Sequence, residues 1–292
     1  MNHRSALFAL HFGALFFGLA GVFGKLANAS AVVIVLGRAA FAVVALIVFL
    51  GASRRGWQRL EGADWGRLIG AGGLLAAHWV SFFIAVKMAG VAVATLGFAS
   101  FPAFTVVLEG LVFRERIRGH EIMLVLLVSV GLVLVTPTFD LASQATNGLL
   151  WAMFSGLTFA VLSLVNRAGG SRVPPVQAAL CQNAVVALCL LPAAWPQLPA
   201  VSALDWWWIG LLGVFCTGLA HSLFVASLAV IKARTAAVVF ALEPVYGIAF
   251  AWAIFREAPT VQMLLGGVLI LVAIVMSTQS KKPAPAGTTQ AL

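Results

Sequence analysis

Apolar residues run along this chain in ten long blocks, each closed by charge or by a cluster of Gly, Pro or Asn. The blocks lie roughly at 6–24, 31–51, 67–87, 91–113, 119–137, 147–165, 174–195, 206–230, 234–255 and 260–278. A helix rises about 1.5 Å per residue, so about 20 apolar residues cross the roughly 30 Å hydrocarbon core of a bilayer. The pattern therefore predicts ten transmembrane helices with no soluble domain between them. The block from Ala6 to Gly24 follows Arg4 as a signal peptide would, but it is long and many similar blocks follow, so it reads as the first span. From Lys281 the apolar pattern stops, and 280–292, with Pro283, Pro285 and Gly287-Thr288-Thr289, is expected to be a disordered tail.

One block occurs twice. Phe98-Ala99-x-x-Pro102 with Phe113-Arg114-Glu115 returns, 142 positions later, as Phe240-Ala241-x-x-Pro244 with Phe255-Arg256-Glu257. A weaker echo, Val43-Val44-Ala45-Leu46 against Val185-Val186-Ala187-Leu188, keeps the same offset. The offset separates span four from span nine, so the repeating unit is five spans. It divides the chain into 1–138 and 139–279, and a unit with an odd number of spans repeats upside down in the membrane. The sequence thus predicts an all-α integral membrane protein of two inverted five-helix repeats, a common construction of secondary transporters. Each copy reads as a helix carrying a proline near mid-membrane. Such a proline removes a backbone hydrogen bond and clashes with the preceding turn, making Pro102 and Pro244 candidate hinges.

Charge fixes the expected orientation. Of the 18 Lys and Arg, all but Lys25, Arg38, Lys87 and Arg256 fall on one side when the N-terminus is placed inside, which predicts both termini in the cytoplasm. Composition agrees: hydrophobic residues are 62% and charged residues 9%, outside the usual soluble range. The net charge of +9 sits in short loops rather than on a solvated face, which argues against nucleic acid. Cys181, Cys189 and Cys216, an odd number without CxxC spacing, give neither a disulfide framework nor a zinc site. No His/Cys/carboxylate set has metal-ligand spacing on one helix, so no metal is expected. Catalytic elbows and HExxH are missing, which argues against an enzyme, and without a GxxxxGK loop no ATP is expected. No cofactor is implied.

A few polar residues interrupt the apolar blocks. A carboxylate at the bilayer centre costs about 2.5–3.5 kcal/mol on an insertion scale, so Glu243 should face the interior and is a candidate for substrate amine or proton. Glu243, Tyr246, Gly247 and Phe250 share a helix face, as do Phe101, Phe104, Thr105 and Leu108 at the equivalent offsets. Opposed, the two faces would form an apolar, aromatic cavity. Arg38 either binds a substrate carboxylate bidentately or snorkels to the outer surface. Glu109 either lines the inner vestibule or pairs with Arg38. His11, His78 and His221 lie inside spans one, three and eight, where a histidine either relays protons or ties helices together. His78 stands beside Trp79, and under the 142 offset His221 corresponds to Trp79. Gln182, with Asn183, is the remaining polar candidate for substrate binding.

Ten spans in two halves, each with a proline on its fourth span and a Phe-Arg-Glu close, resemble the EamA-type branch of the drug/metabolite transporter superfamily. The runs Ile122 to Val135 and Gln262-x-x-x-Gly266-Gly267-Val268-Leu269-Ile270 are similar to that branch as well. The opening His11-Phe12-Gly13-Ala14 and the His78-Trp79 pair are similar to YddG-type exporters of aromatic and other amino acids. The halves are not equivalent: Ala258 stands where the first copy has Arg116, and Leu124 where the second has Gly266. The resemblance implies a bacterial inner-membrane protein that exports amino acids by alternating access through a midplane cavity. A broad exporter of drugs or small metabolites is the alternative. Proton coupling stays open, as does the oligomeric state, for which a monomer suffices.

Overall fold

A computed structural model describes residues 3–53, 57–112, 119–135, 140–168, 173–220 and 242–279, together with the single positions 223, 227 and 239. Every regular element among the described residues is helical. Water is absent from hydrocarbon, so each backbone N–H and C=O must be satisfied within its own segment, and a helix does this. In chain order the helices are α1 (His3–Leu26), α2 (Ala31–Ala52), α3 (Gly62–Phe98), α4 (Phe101–Val112) and α5 (Gly119–Val135). The second half has α6 (Gln144–Ala168), α7 (Pro175–Ala194), α8 (Ala203–Gly213), α9 (Glu243–Phe255) and α10 (Val261–Gln279). Of these, α1, α2, α3, α6, and α7 with the 3-10 turn Trp195–Ala200 after it are long and apolar enough to cross a membrane. The others are apolar but shorter.

The repeated block differs from the sequence expectation in an instructive way. Spans three and four lie within one element up to Phe98, kinked at Gly90, whose φ of 81° and ψ of 171° are open to glycine and strained for other residues. Span four then breaks at Ala99–Ser100, and Pro102 occupies the first turn of α4. It is therefore not a mid-helix proline: a missing N–H is harmless in a first turn, where no intrahelical partner exists. Ser100 manages the break, its hydroxyl donating to the Gly97 carbonyl at 2.7 Å while its own carbonyl accepts from the Ala103 and Phe104 N–H groups. Pro244 likewise lies in the first turn of α9, behind a turn at Leu242. Phe240 and Ala241, the Phe113-Arg114-Glu115 close, the 138/139 boundary and the tail 280–292 lie outside the described residues.

Packing partners are specific. Helix α1 contacts α9, α3 and α8; α2 contacts α7, α8 and α3; α3 contacts α6 and α7; α4 contacts α6; α5 contacts α10. Small residues permit these approaches, as expected where lipid supplies no hydrophobic drive between helices. At the α5–α10 crossing a Cβ on Gly266 would stand 2.6 Å from the Gly131 carbonyl oxygen. At α8 a Cβ on Gly213 would stand 2.7 Å from the Arg38 carbonyl oxygen, so this glycine lets α8 seat against the backbone that carries Arg38. Backbone cannot yield as a side chain can. Gly266→Ala is therefore expected to cost about 1–3 kcal/mol and lower the thermal midpoint in detergent. Gly70→Ala, with nothing within 4 Å of its added Cβ, should leave that midpoint in place. Equal midpoints for the two variants would dismiss the close crossing.

Candidate functional site

Arg38 lies two turns into α2, about 10 Å along the helix from Ala31. Its side chain turns inward, leaving the residue 2% exposed, which decides against the snorkelling alternative. The Nε and Nη2 groups donate to the Thr217 hydroxyl oxygen at 3.1 and 2.9 Å, and Nη1 has no hydrogen-bond partner among the described residues. The guanidinium lies over the Trp79 ring at 4.0 Å from its centroid, with the Phe83 ring at 5.5 Å. Stripping water from such a cation costs several kcal/mol unless hydrogen bonds and charge restore it. Thr217 and the negative faces of two rings supply part of that compensation.

The acceptor that holds Arg38 comes from an irregular piece of backbone. Residues Val214–Leu219 continue α8 as a π-helical turn, and the Thr217 hydroxyl donates to the Leu212 carbonyl five residues earlier at 3.1 Å. Such turns recur at functional sites because they re-aim side chains. Glu243 opens α9, where the positive end of the helix dipole favours a carboxylate. It is half-buried, lies within electrostatic reach of Arg38, and makes no hydrogen bond or ion pair among the described residues. A cation of α2 thus lies on an indole of α3, with a carboxyl of α9 within electrostatic reach.

The other candidates lie elsewhere. His78 is buried against α6: its Nδ1 is 2.7 Å from the Ser155 hydroxyl and 3.1 Å from the Ser155 carbonyl oxygen, and that hydroxyl also reaches the His78 carbonyl at 3.0 Å. That is a helix tie, one residue from Trp79 but turned to another neighbour. Phe101 stacks on Phe98 and meets Phe159 edge-on, with His78 in the same cluster. Tyr246 packs on Ala6, Leu10 and Ala14 of α1, and Gly18 admits its Cβ closely. The Tyr246 face of α9 and the Phe101 face of α4 are thus taken up by α1 and α6. Gln182 donates to Asn166 at 2.9 Å, linking α7 to α6, and His11 is exposed on α1. His221 lies outside the described residues.

Residues that the sequence analysis did not place in the binding site organise the Lys25 end of the bundle. Lys25 forms an ion pair with Glu257 and sits over the Phe255 ring, joining α1 to the loop after α9. Lys87 donates to the Ala27 carbonyl, and the Asn28 N–H donates to the Asp205 carboxylate at 2.6 Å. Asp205 also caps α8 with Ser202. At the other end Gln177 grips the Gln58 backbone, accepting from its N–H at 3.0 Å and donating to its carbonyl at 2.8 Å. Thr217 carried no sequence signal, being one of many small hydroxyls, and the π turn that aims it has no motif.

Apolar helices throughout, with a few polar side chains turned inward, define a multi-pass membrane protein. The EamA-like transporter profile matches residues 4–136 and again 146–279, and the chain belongs to that family, within the drug/metabolite transporter superfamily. Members of the family are transporters rather than enzymes, with small-molecule substrates and the bilayer as partners. Among relatives, the Bacillus subtilis (strain 168) transporter YxxF is 19% identical over 94% of this chain and 89% of its own. YwfM of the same organism is 27% identical over 82% and 81%. The pseudopaline exporter CntI of Pseudomonas aeruginosa (strain UCBPP-PA14) is 26% identical over 71% and 72%. A crystal structure that is 19% identical aligns over 97% of this chain and all of its own with a TM-score of 0.69, which shows a shared fold.

Proposed function

We propose that the protein exports amino acids, aromatic and other neutral ones, from the cytoplasm through a cavity between two inverted five-helix halves. The observation that carries this reading is the Arg38 guanidinium lying on the Trp79 ring, with the Glu243 carboxyl of the other half within electrostatic reach. A zwitterion with a ring needs one cationic, one anionic and one aromatic partner. Inversion is supported by paired contacts. Helix α1 packs on α9 as α6 packs on α4, α1 on α8 as α6 on α3, and α2 on α8 as α7 on α3. The pairs α2–α7 and α5–α10 map onto themselves. Two successive family matches of similar length support the same division. In this arrangement both termini are cytoplasmic, the Lys25 end faces out of a bacterial inner membrane, and Pro102 and Pro244 mark breaks about which each half bends. The opening His11-Phe12-Gly13-Ala14 and His78-Trp79 favour a YddG-type exporter.

The test is uptake of labelled tryptophan, threonine and a lipophilic cation into proteoliposomes, with and without a pH gradient. Saturable flux of both amino acids is expected, and the gradient arm decides between proton coupling and facilitated diffusion. Flux of the cation alone would replace this reading with a broad exporter of drugs or small metabolites. The relative named as a pseudopaline exporter favours that second reading.

A further inference from the structure

A guanidinium has two edges that can take a carboxylate, and in Arg38 they differ in occupancy. The side edge, Nε with Nη2, is held by one oxygen, that of Thr217. The end edge, Nη1 with the second Nη2 hydrogen, has no protein partner among the described residues. Trp79 covers one face of the guanidinium at 4.0 Å and the Phe83 ring lies 5.5 Å from it, so among the described residues the approach left open is in the plane of the group, at that end edge. In-plane approach is the geometry in which arginine binds a carboxylate through two parallel hydrogen bonds. Glu243 lies within electrostatic reach of the same cation without pairing with it, leaving its carboxyl for a second ligand charge.

Thr217 sets this division. Its hydroxyl proton is committed to the Leu212 carbonyl, so its lone pairs face Arg38. In a regular α-helix the bond would go four residues back, to Gly213. The π turn shifts the hydroxyl by one residue, about 100° around the axis. We infer that Thr217 is a positioning residue that aims the end edge of Arg38 at the substrate path, so that the site selects ligands carrying a free carboxylate. The inference rests on the exporter reading above for the location of that path, but it concerns what the ligand must carry.

The experiment measures ligand-induced shifts of the thermal midpoint, and counterflow KM and kcat, on purified and reconstituted full-length protein. The probes are tryptophan, tryptamine, which lacks the carboxylate, and indole-3-propionate, which lacks the amine. Tryptophan and indole-3-propionate should shift the midpoint, and tryptamine should not. Thr217→Val is expected to raise KM for tryptophan by about tenfold with kcat little changed, the size of one lost charge-assisted contact. Thr217→Ser, which keeps the hydroxyl, should stay within about twofold of the parent. A tryptamine shift equal to that of tryptophan, or no shift with any of the three, overturns the inference. So does a KM unchanged in Thr217→Val. If the valine variant does not fold, the three-ligand comparison and Thr217→Ser still decide. Carboxylate-dependent binding without amino-acid flux would sink the exporter reading and leave the assignment of Thr217 standing.

Discussion

Glu243→Gln and Trp79→Ala are each expected to reduce saturable amino-acid flux about tenfold or more while leaving the amount of protein in the membrane unchanged. The glutamine keeps shape and hydrogen-bonding atoms but removes a carboxyl within electrostatic reach of Arg38. A hydrogen bond to a charged group contributes about 1.5–3 kcal/mol, which corresponds to roughly one to two orders of magnitude in affinity for a substrate ammonium. Trp79 acts differently. Its ring is the platform beneath the guanidinium at 4.0 Å, and losing a desolvated cation–π contact costs about 2 kcal/mol. Alanine there frees Arg38 to leave the in-plane position. The two variants should therefore differ in pattern. Trp79→Ala weakens carboxylate-bearing ligands generally, whereas Glu243→Gln weakens tryptophan but spares indole-3-propionate. Flux measured per unit of protein in proteoliposomes separates these outcomes, and normal flux in both variants would discard the site.

Much of the bundle was legible in the sequence because hydrocarbon imposes a coarse rule: about 20 apolar residues make a span, and the charge between spans marks its ends. What was not legible follows from finer physics. Hydropathy does not register the kink at Gly90 or the break at Ala99–Ser100, since small apolar residues score alike in a helix and in a turn. Pro102 was visible as a helix breaker, but only the backbone places it just after the break rather than within it. Arg38, Trp79 and Glu243 stood out as polar or aromatic residues where lipid disfavours charge; the Arg38 guanidinium lies on the Trp79 ring, and Glu243 is within its electrostatic reach. His78 stood out for the same reason but finds its partner in Ser155. Residue type alone cannot tell a ligand-facing group from a helix tie, because both lower the same desolvation cost.

Reversing the charge of Glu257 is expected to open the Lys25 end of the protein, and reversing Lys25 as well is expected to close it again. In the exporter proposed above this end faces out, and substrate leaves only when it opens. Two contacts there join the halves, Lys25 to Glu257 and Asn28 to Asp205, and Lys87 to Ala27 ties α3 to the end of α1 within the first half. The Lys25 and Glu257 side chains are 27% and 39% exposed, so the pair itself is worth no more than about 1 kcal/mol. Neutralising it would shift the closed-to-open ratio by about fivefold at most. Glu257→Lys does more, because it places a third ammonium beside Lys25 and Lys87 around the cleft at Gly90 that all of these line. Cys216 reports the result. It is fully buried next to Thr217, and with Cys181 and Cys189 replaced by serine it is the only thiol left. In intact cells a membrane-impermeant maleimide should label Cys216 slowly in the parent, several-fold faster in Glu257→Lys, and slowly again in the Lys25→Glu/Glu257→Lys swap. Unchanged labelling in the single variant would show that the pair does not hold this end shut. Fast labelling that persists in the swap would place the closure in the Lys87 and Asp205 contacts instead.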